Sequence, residues 1–117
     1  MDMSVREHIG PGLAGDHDLT ERVHQATRVL REVVGDSGVE IEAAWEVGED
    51  SHGRPVVRLR LSDFSGRAPA EFAPDELAAS PQLRRRLHWV WGNLLQDRAR
   101  HQIEEAMALG GAGGGGN

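Results

Sequence analysis

The sequence predicts an α+β domain in which a small antiparallel sheet packs against an N-terminal helix and a long C-terminal helix. Three observations carry this. Apolar residues recur at helical spacing between residues 18 and 34, alternate every second position between 39 and 61, and return to helical spacing after residue 81. A striped helix and a one-sided sheet each need a surface to cover, and layering both helices on one sheet face satisfies all three segments. At 117 residues the chain fits one domain, large enough to hold a core without metal or disulfide staples. The expected division is a flexible arm over 1–17, a single domain over 18–109 and a flexible glycine-rich tail over 110–117.

The arm is assigned on composition, because Gly10, Pro11, Gly12 and Gly15 interrupt it and its apolar residues follow little pattern. Asp18 and Glu21 then have the form of a capping box. The helix that follows sets Leu19, Val23, Ala26, Leu30 and Val33 on one stripe and leaves Glu21, Arg22, Gln25, Arg28 and Glu32 to water. Gly35 ends it, since glycine readily takes the left-handed conformation after a last turn. "GDSGV" at 35–39 resembles the nucleophile loop of trypsin-like serine proteases over four residues. That family's double barrel needs a longer chain, and Gly, Asp and Ser are the usual residues of a helix-to-strand turn.

From residue 39 the period is two. Val39, Ile41, Ala43, Trp45 and Val47 alternate with Glu40, Glu42, Ala44 and Glu46, and after a turn at 48–53 Val57, Leu59 and Leu61 alternate with Val56, Arg58 and Arg60. Pairing Trp45 with Val57, Ala43 with Leu59 and Ile41 with Leu61 puts the apolar set inward. It also sets Glu42 opposite Arg60, with Arg58 diagonal to Glu42 and Glu46, so the acidic run is matched within the hairpin. A short third strand is expected near 67–72, held to the sheet edge by Pro69. Pro74 opens a helical turn. Ser80-Pro81 then starts a helix that should run to about Leu109.

That last helix has two apolar faces. On a wheel of about 100° per residue, Leu83, Leu87, Val90, Trp91 and Leu94 form a stripe for the sheet, with Trp91 near Trp45. Trp89, Gly92, Ala99, Ile103 and Met107 lie on nearly the opposite side. One sheet cannot cover both. Either the second face meets a partner helix, most simply from another copy of the chain, or the helix kinks near Gln96 and folds its tail onto its own domain. These five residues are the candidate partner interface.

Charge gives a second candidate surface. Net charge is -6, all basic residues are arginine, and five acids fall within residues 40–50. Arg84, Arg85, Arg86, Arg98 and Arg100 cluster against Asp97 alone, and the first three sit where a helix N-terminus is already positive. The predicted α-β-β-β-α order and this arginine run are similar to the double-stranded-RNA-binding fold. That resemblance implies a nucleic-acid- or ribosome-associated module using the Arg84–Arg86 cluster, with Arg98 and Arg100 as further candidate contacts. The acidic net charge weighs against broad nucleic-acid binding.

Other classes find little footing. The chain has no cysteine, which removes disulfides, thiolate catalysis and Cys-based zinc sites. Asp97, His101, Glu104 and Glu105 share one helix, whereas a zinc site usually draws three or four ligands from more than one element. No phosphate-binding glycine loop or nucleophile elbow stands out. The sequence therefore assigns no catalytic residue, cofactor or metal. No apolar run approaches a membrane span, and residues 1–17 lack a signal-peptide core. The expectation is a cytoplasmic, non-enzymatic interaction module that forms a homo-oligomer or docks a protein partner through its last helix, with no membrane partner.

Overall fold

A computed structural model describes residues 5–35 and 40–114, with the side chains of the last helix described to Ala108. The element order is β1 (Val5–Ile9), α1 (Pro11–Ala14), α2 (His17–Val34), β2 (Ile41–Glu49), β3 (Pro55–Ser62), β4 (Arg67–Phe72), a 3₁₀ turn (Pro74–Leu77) and α3 (Pro81–Gly114). The strands lie in the order β1-β2-β3-β4. β1 runs parallel to β2, with α2 as the crossover, and the other pairs are antiparallel. The class is α+β as expected, but the sheet is mixed and has four strands.

The added strand comes from the segment expected to be a flexible arm. Val5 is fully buried, Ile9 packs against the core, and Gly10 N–H donates to the Trp45 carbonyl at 2.8 Å. Glu7 sits on the same side of the strand, which hides the apolar alternation. His24 on α2 lies 2.7 Å from its carboxylate. The guanidinium of Arg31 donates to the Val5 carbonyl, tying β1 to α2. With β1 in place, the α-β-β-β-α order behind the likeness to the double-stranded-RNA-binding fold no longer holds.

α2 starts earlier than its expected cap. Asp16, not Asp18, accepts from the Leu19 N–H at 3.1 Å, and Asp18 becomes a first-turn acid, where the helix dipole favours it. Thr20 Oγ donates to the Leu13 carbonyl at 2.7 Å and fixes α1 to the start of α2. Gly35 closes the helix at φ 64°. The rest of the expected 35–39 turn, and Val39, lie outside the described residues.

The hairpin register differs from expectation by two residues. Trp45 pairs with Leu59, Ala43 with Leu61 and Val47 with Val57. Since side chains alternate with period two, a two-residue shift keeps every apolar residue inward, and the hydrophobic pattern cannot choose between the two registers. The turn chooses. Asp50 accepts from the His52 and Arg54 N–H groups, and Gly53 takes φ 75°, closing the hairpin at the Glu49–Pro55 pair. The charges repair accordingly. Arg58 bonds Glu71 on β4 at 2.9 Å, and Glu40 pairs with Arg6 on β1. Glu46 turns to accept from the Leu13 and Val47 N–H groups.

α2 and α3 cover one sheet face. Buried Val23, Ala26 and Leu30 of α2 join Leu83, Leu87, Val90 and Leu94 of α3 over Ile41, Trp45, Leu59 and Leu61. Trp45 pairs with Phe72, ring centroids 6.1 Å apart, and Arg86 stacks over Phe72 at 4.3 Å. Trp91, expected in the core near Trp45, is half-buried at its margin. Among the described residues the buried Trp45 indole N–H has no acceptor, a local cost of about 1–3 kcal/mol that burial of the ring must outweigh.

Candidate functional site

α3 begins at a Ser80 cap, whose Oγ accepts from the Leu83 N–H at 3.1 Å, and runs uninterrupted for 34 residues. At 1.5 Å per residue that is about 50 Å of helix, against a longest molecular dimension of 60 Å. α3 stays helical through Gln96, where a kink is the alternative to a partner helix, its described side chains from Gln102 to Ala108 are exposed, and it continues past the expected end at Leu109. The last part of the expected tail, 115–117, lies outside the described residues.

The Leu83, Leu87, Val90 and Leu94 stripe is buried and points α3 onto the sheet. The five candidate interface residues therefore face away from the domain. Trp89 is 68% exposed, Ile103 59% and Met107 69%; Ala99 is exposed and Gly92 half-buried. Beyond His101, whose ring lies 2.5 Å from the Ser65 carbonyl, every described side chain from Gln102 to Ala108 is exposed. The C-terminal part of α3 thus projects from the body, and one apolar line runs from above the domain onto the projection.

Gly92 lies mid-helix on that line. A Cβ built there meets nothing within 4 Å among the described residues, so packing against them does not require glycine. Glycine in a helix interior is about 1 kcal/mol less favourable than alanine. Gly92→Ala should therefore raise the stability of the dilute monomer by about that amount in thermal or denaturant unfolding. A loss of stability would mean that the position is packed within the domain.

The arginines are mostly engaged inside the fold. Arg84 pairs with Glu32 of α2. Arg86 bonds Glu76 and the Glu71 carbonyl, Arg98 bonds Asp63, and Arg100 pairs with Asp97. Of the five candidates, Arg85 alone makes no ion pair or side-chain hydrogen bond among the described residues. It lies on the outward side of α3, one turn before Trp89.

Asp63 and Arg98 anchor the β3–β4 turn to α3. Asp63 has no exposed side-chain surface and Arg98 has 18%. Burial by itself pushes the Asp63 carboxyl upward. Hydrogen bonds from the Ser65 N–H, Arg98 and the Gly66 N–H, with the guanidinium charge, outweigh that and hold it below its ordinary value. Beside it, Asp97 accepts from the Arg67 N–H at 2.8 Å. That bond lowers its carboxyl despite the opposing effect of burial, and the charges of His101 and Arg100 add to the lowering. Gly66 lets the turn sit against the helix, because a Cβ there would lie 3.0 Å from the Arg98 nitrogen. Phe64 at the tip is 79% exposed.

The other sheet face carries a surface that the sequence reading missed. A trough of about 650 Å³ is bordered by His8, Ala44, Glu46, Arg60, Pro69 and Glu71. Its floor exists because Ala44 and Pro69 are short beside the arginines. Its acids are already engaged, Glu46 by backbone N–H groups and Glu71 by Arg58. Seeing it from sequence would have required β1, which brings His8 beside Ala44.

Among the described residues no three His, Asp or Glu side chains form a metal-binding group, and no helix is long and apolar enough to cross a membrane. The chain matches no protein-family model, and no curated protein and no solved structure matches it either.

Proposed function

We propose that this chain is a small protein-interaction module that self-associates through the outer face of α3. The observation that carries the proposal is one line of exposed Trp89, Ile103 and Met107 on an uninterrupted helix whose opposite side is the domain core. Three large apolar side chains left exposed along one side of a helix are uncommon on a monomer and point to an interaction surface. A large aromatic among small residues has the composition of an interface centre. A second copy is the simplest partner, since two-fold homodimers are the commonest oligomers. The lack of cysteine supports a cytoplasmic setting. The nucleic-acid alternative has less support, because Arg84, Arg86, Arg98 and Arg100 are committed to carboxylates of the same domain.

Tryptophan fluorescence tests the reading. Trp45 is buried, Trp91 half-buried and Trp89 exposed, so association through α3 changes chiefly the environment of Trp89. The emission maximum should move to longer wavelength on dilution as Trp89 returns to water. A spectrum independent of concentration, in a protein that associates by another measure, would place the contact elsewhere. Absorbance at 260 nm in excess of protein, lost on washing with salt, would favour the arginine surface instead.

A further inference from the structure

We infer that the two copies pair antiparallel along α3, with the large residues of one helix seated over the small residues of the other; this rests on the self-association reading. Two interleaved rows of period seven run along the outer face. Trp89, Gln96 and Ile103 make one row, and Gly92, Ala99 and Ala106 make the other. A seven-residue repeat drifts by only about 20° per repeat on a straight helix, so both rows stay on one side. A two-fold axis perpendicular to the helices exchanges the rows. Trp89 then lies over the second copy's Ala106, Ile103 over its Gly92 and Gln96 beside its Ala99.

A parallel, in-register pair does the reverse. Trp89 would meet Trp89 and hold the helices apart, while Gly92 would face Gly92 and leave a void one turn on. Close packing penalises both. The antiparallel seating also supplies a reason for Gly92, which no packing among the described residues requires. A glycine opposite Ile103 lets the helix axes approach to the short end of the usual 8–10 Å range.

Charge favours the same direction. Arg85 lies at the N-terminal end of the face and Glu104 flanks its other end, and neither makes an ion pair among the described residues. Antiparallel pairing sets the arginine end of each helix alongside the glutamate end of the other. Parallel pairing puts like beside like. Exposed charges of this kind select orientation more than they add affinity. Antiparallel helix dipoles act in the same sense. The geometry also gives the projecting end of α3 a use, since each projection lies along the Trp89 region of the other copy.

The lack of cysteine makes a single spin label unambiguous. In Gln82→Cys the label sits at an exposed position near the start of α3. Pulsed electron resonance on the labelled full chain should read about 45 Å between labels in the antiparallel pair, at 1.5 Å per residue. The parallel pair would give less than about 20 Å, given helix axes about 8–10 Å apart. A dimer with the short distance overturns the orientation and leaves self-association standing. A chain that stays monomeric at all concentrations overturns both. Gly92→Leu provides the second test, because the open space around Gly92 lets it fold. It should weaken association by about tenfold or more. Unchanged association in that variant overturns the seating of Ile103 over Gly92.

Discussion

Asp63→Ala should destabilise the chain by about 3 kcal/mol, the scale for removing one partner of a buried ion pair. Three losses coincide. Arg98, with 18% of its side chain exposed, keeps its charge without its counter-ion. The Ser65 and Gly66 N–H groups lose the acceptor that shapes their turn. The contact of that turn with α3 then loosens where Gly66 passes the helix backbone. Asp63→Asn keeps a neutral acceptor and should fall between the two. Urea unfolding at pH 7 measures the difference. The sign of the pH dependence follows from the direction of the shifts. The Asp63 and Asp97 carboxyls lie below 3.8 in the folded chain, so the stability they contribute is full above that value and is lost as pH falls through the folded values. The wild type and Asp63→Ala should therefore converge in stability under strong acid. A constant gap across the acid range would mean that the ionised carboxylate contributes nothing.

Trp89→Glu should abolish association while leaving the fold unchanged, within about 0.5 kcal/mol as for other surface substitutions. The side chain is 68% exposed in the single chain, so little core packing is lost. In the paired state the same change removes the largest buried ring and puts a carboxylate in its place. A central aromatic contact of this kind contributes about 2 kcal/mol or more, which is about thirtyfold in the dissociation constant. Leu87→Ala is the contrast. Leu87 is fully buried on the opposite face, and its truncation should cost about 2–5 kcal/mol of folding stability. If Trp89→Glu unfolds the chain as Leu87→Ala does, Trp89 belongs to the fold and not to an interface.

The elements legible in the sequence were those with several turns or several alternations. The α2 stripe, the β2–β3 alternation, the Pro69 edge strand and the Ser80 cap all reappear in the structure, because each repeats one physical signal over many residues. β1 was not legible. It has five residues, carries Glu7 on the side it shares with Val5, and is stabilised by a parallel partner more than 30 residues away in sequence. Non-local pairing leaves no local period. The two-residue difference in register has the same origin. Alternation specifies which face is buried, while Asp50 and Gly53 specify where the hairpin closes. The second apolar face of α3 was visible as periodicity. That the helix is uninterrupted, and that its end projects beyond the turn at residues 63–66, depends on where the sheet stops. The trough beside His8 needed β1 and could not be seen without it.

The most direct test of self-association through α3 is the mass of the wild-type chain in solution, read by light scattering across a wide range of protein concentration. The predicted result is a rise from 12.8 kDa toward twice that value, with no such rise in Trp89→Glu. A mass that stays at 12.8 kDa at every concentration, or a dimer that survives Trp89→Glu unchanged, would contradict it.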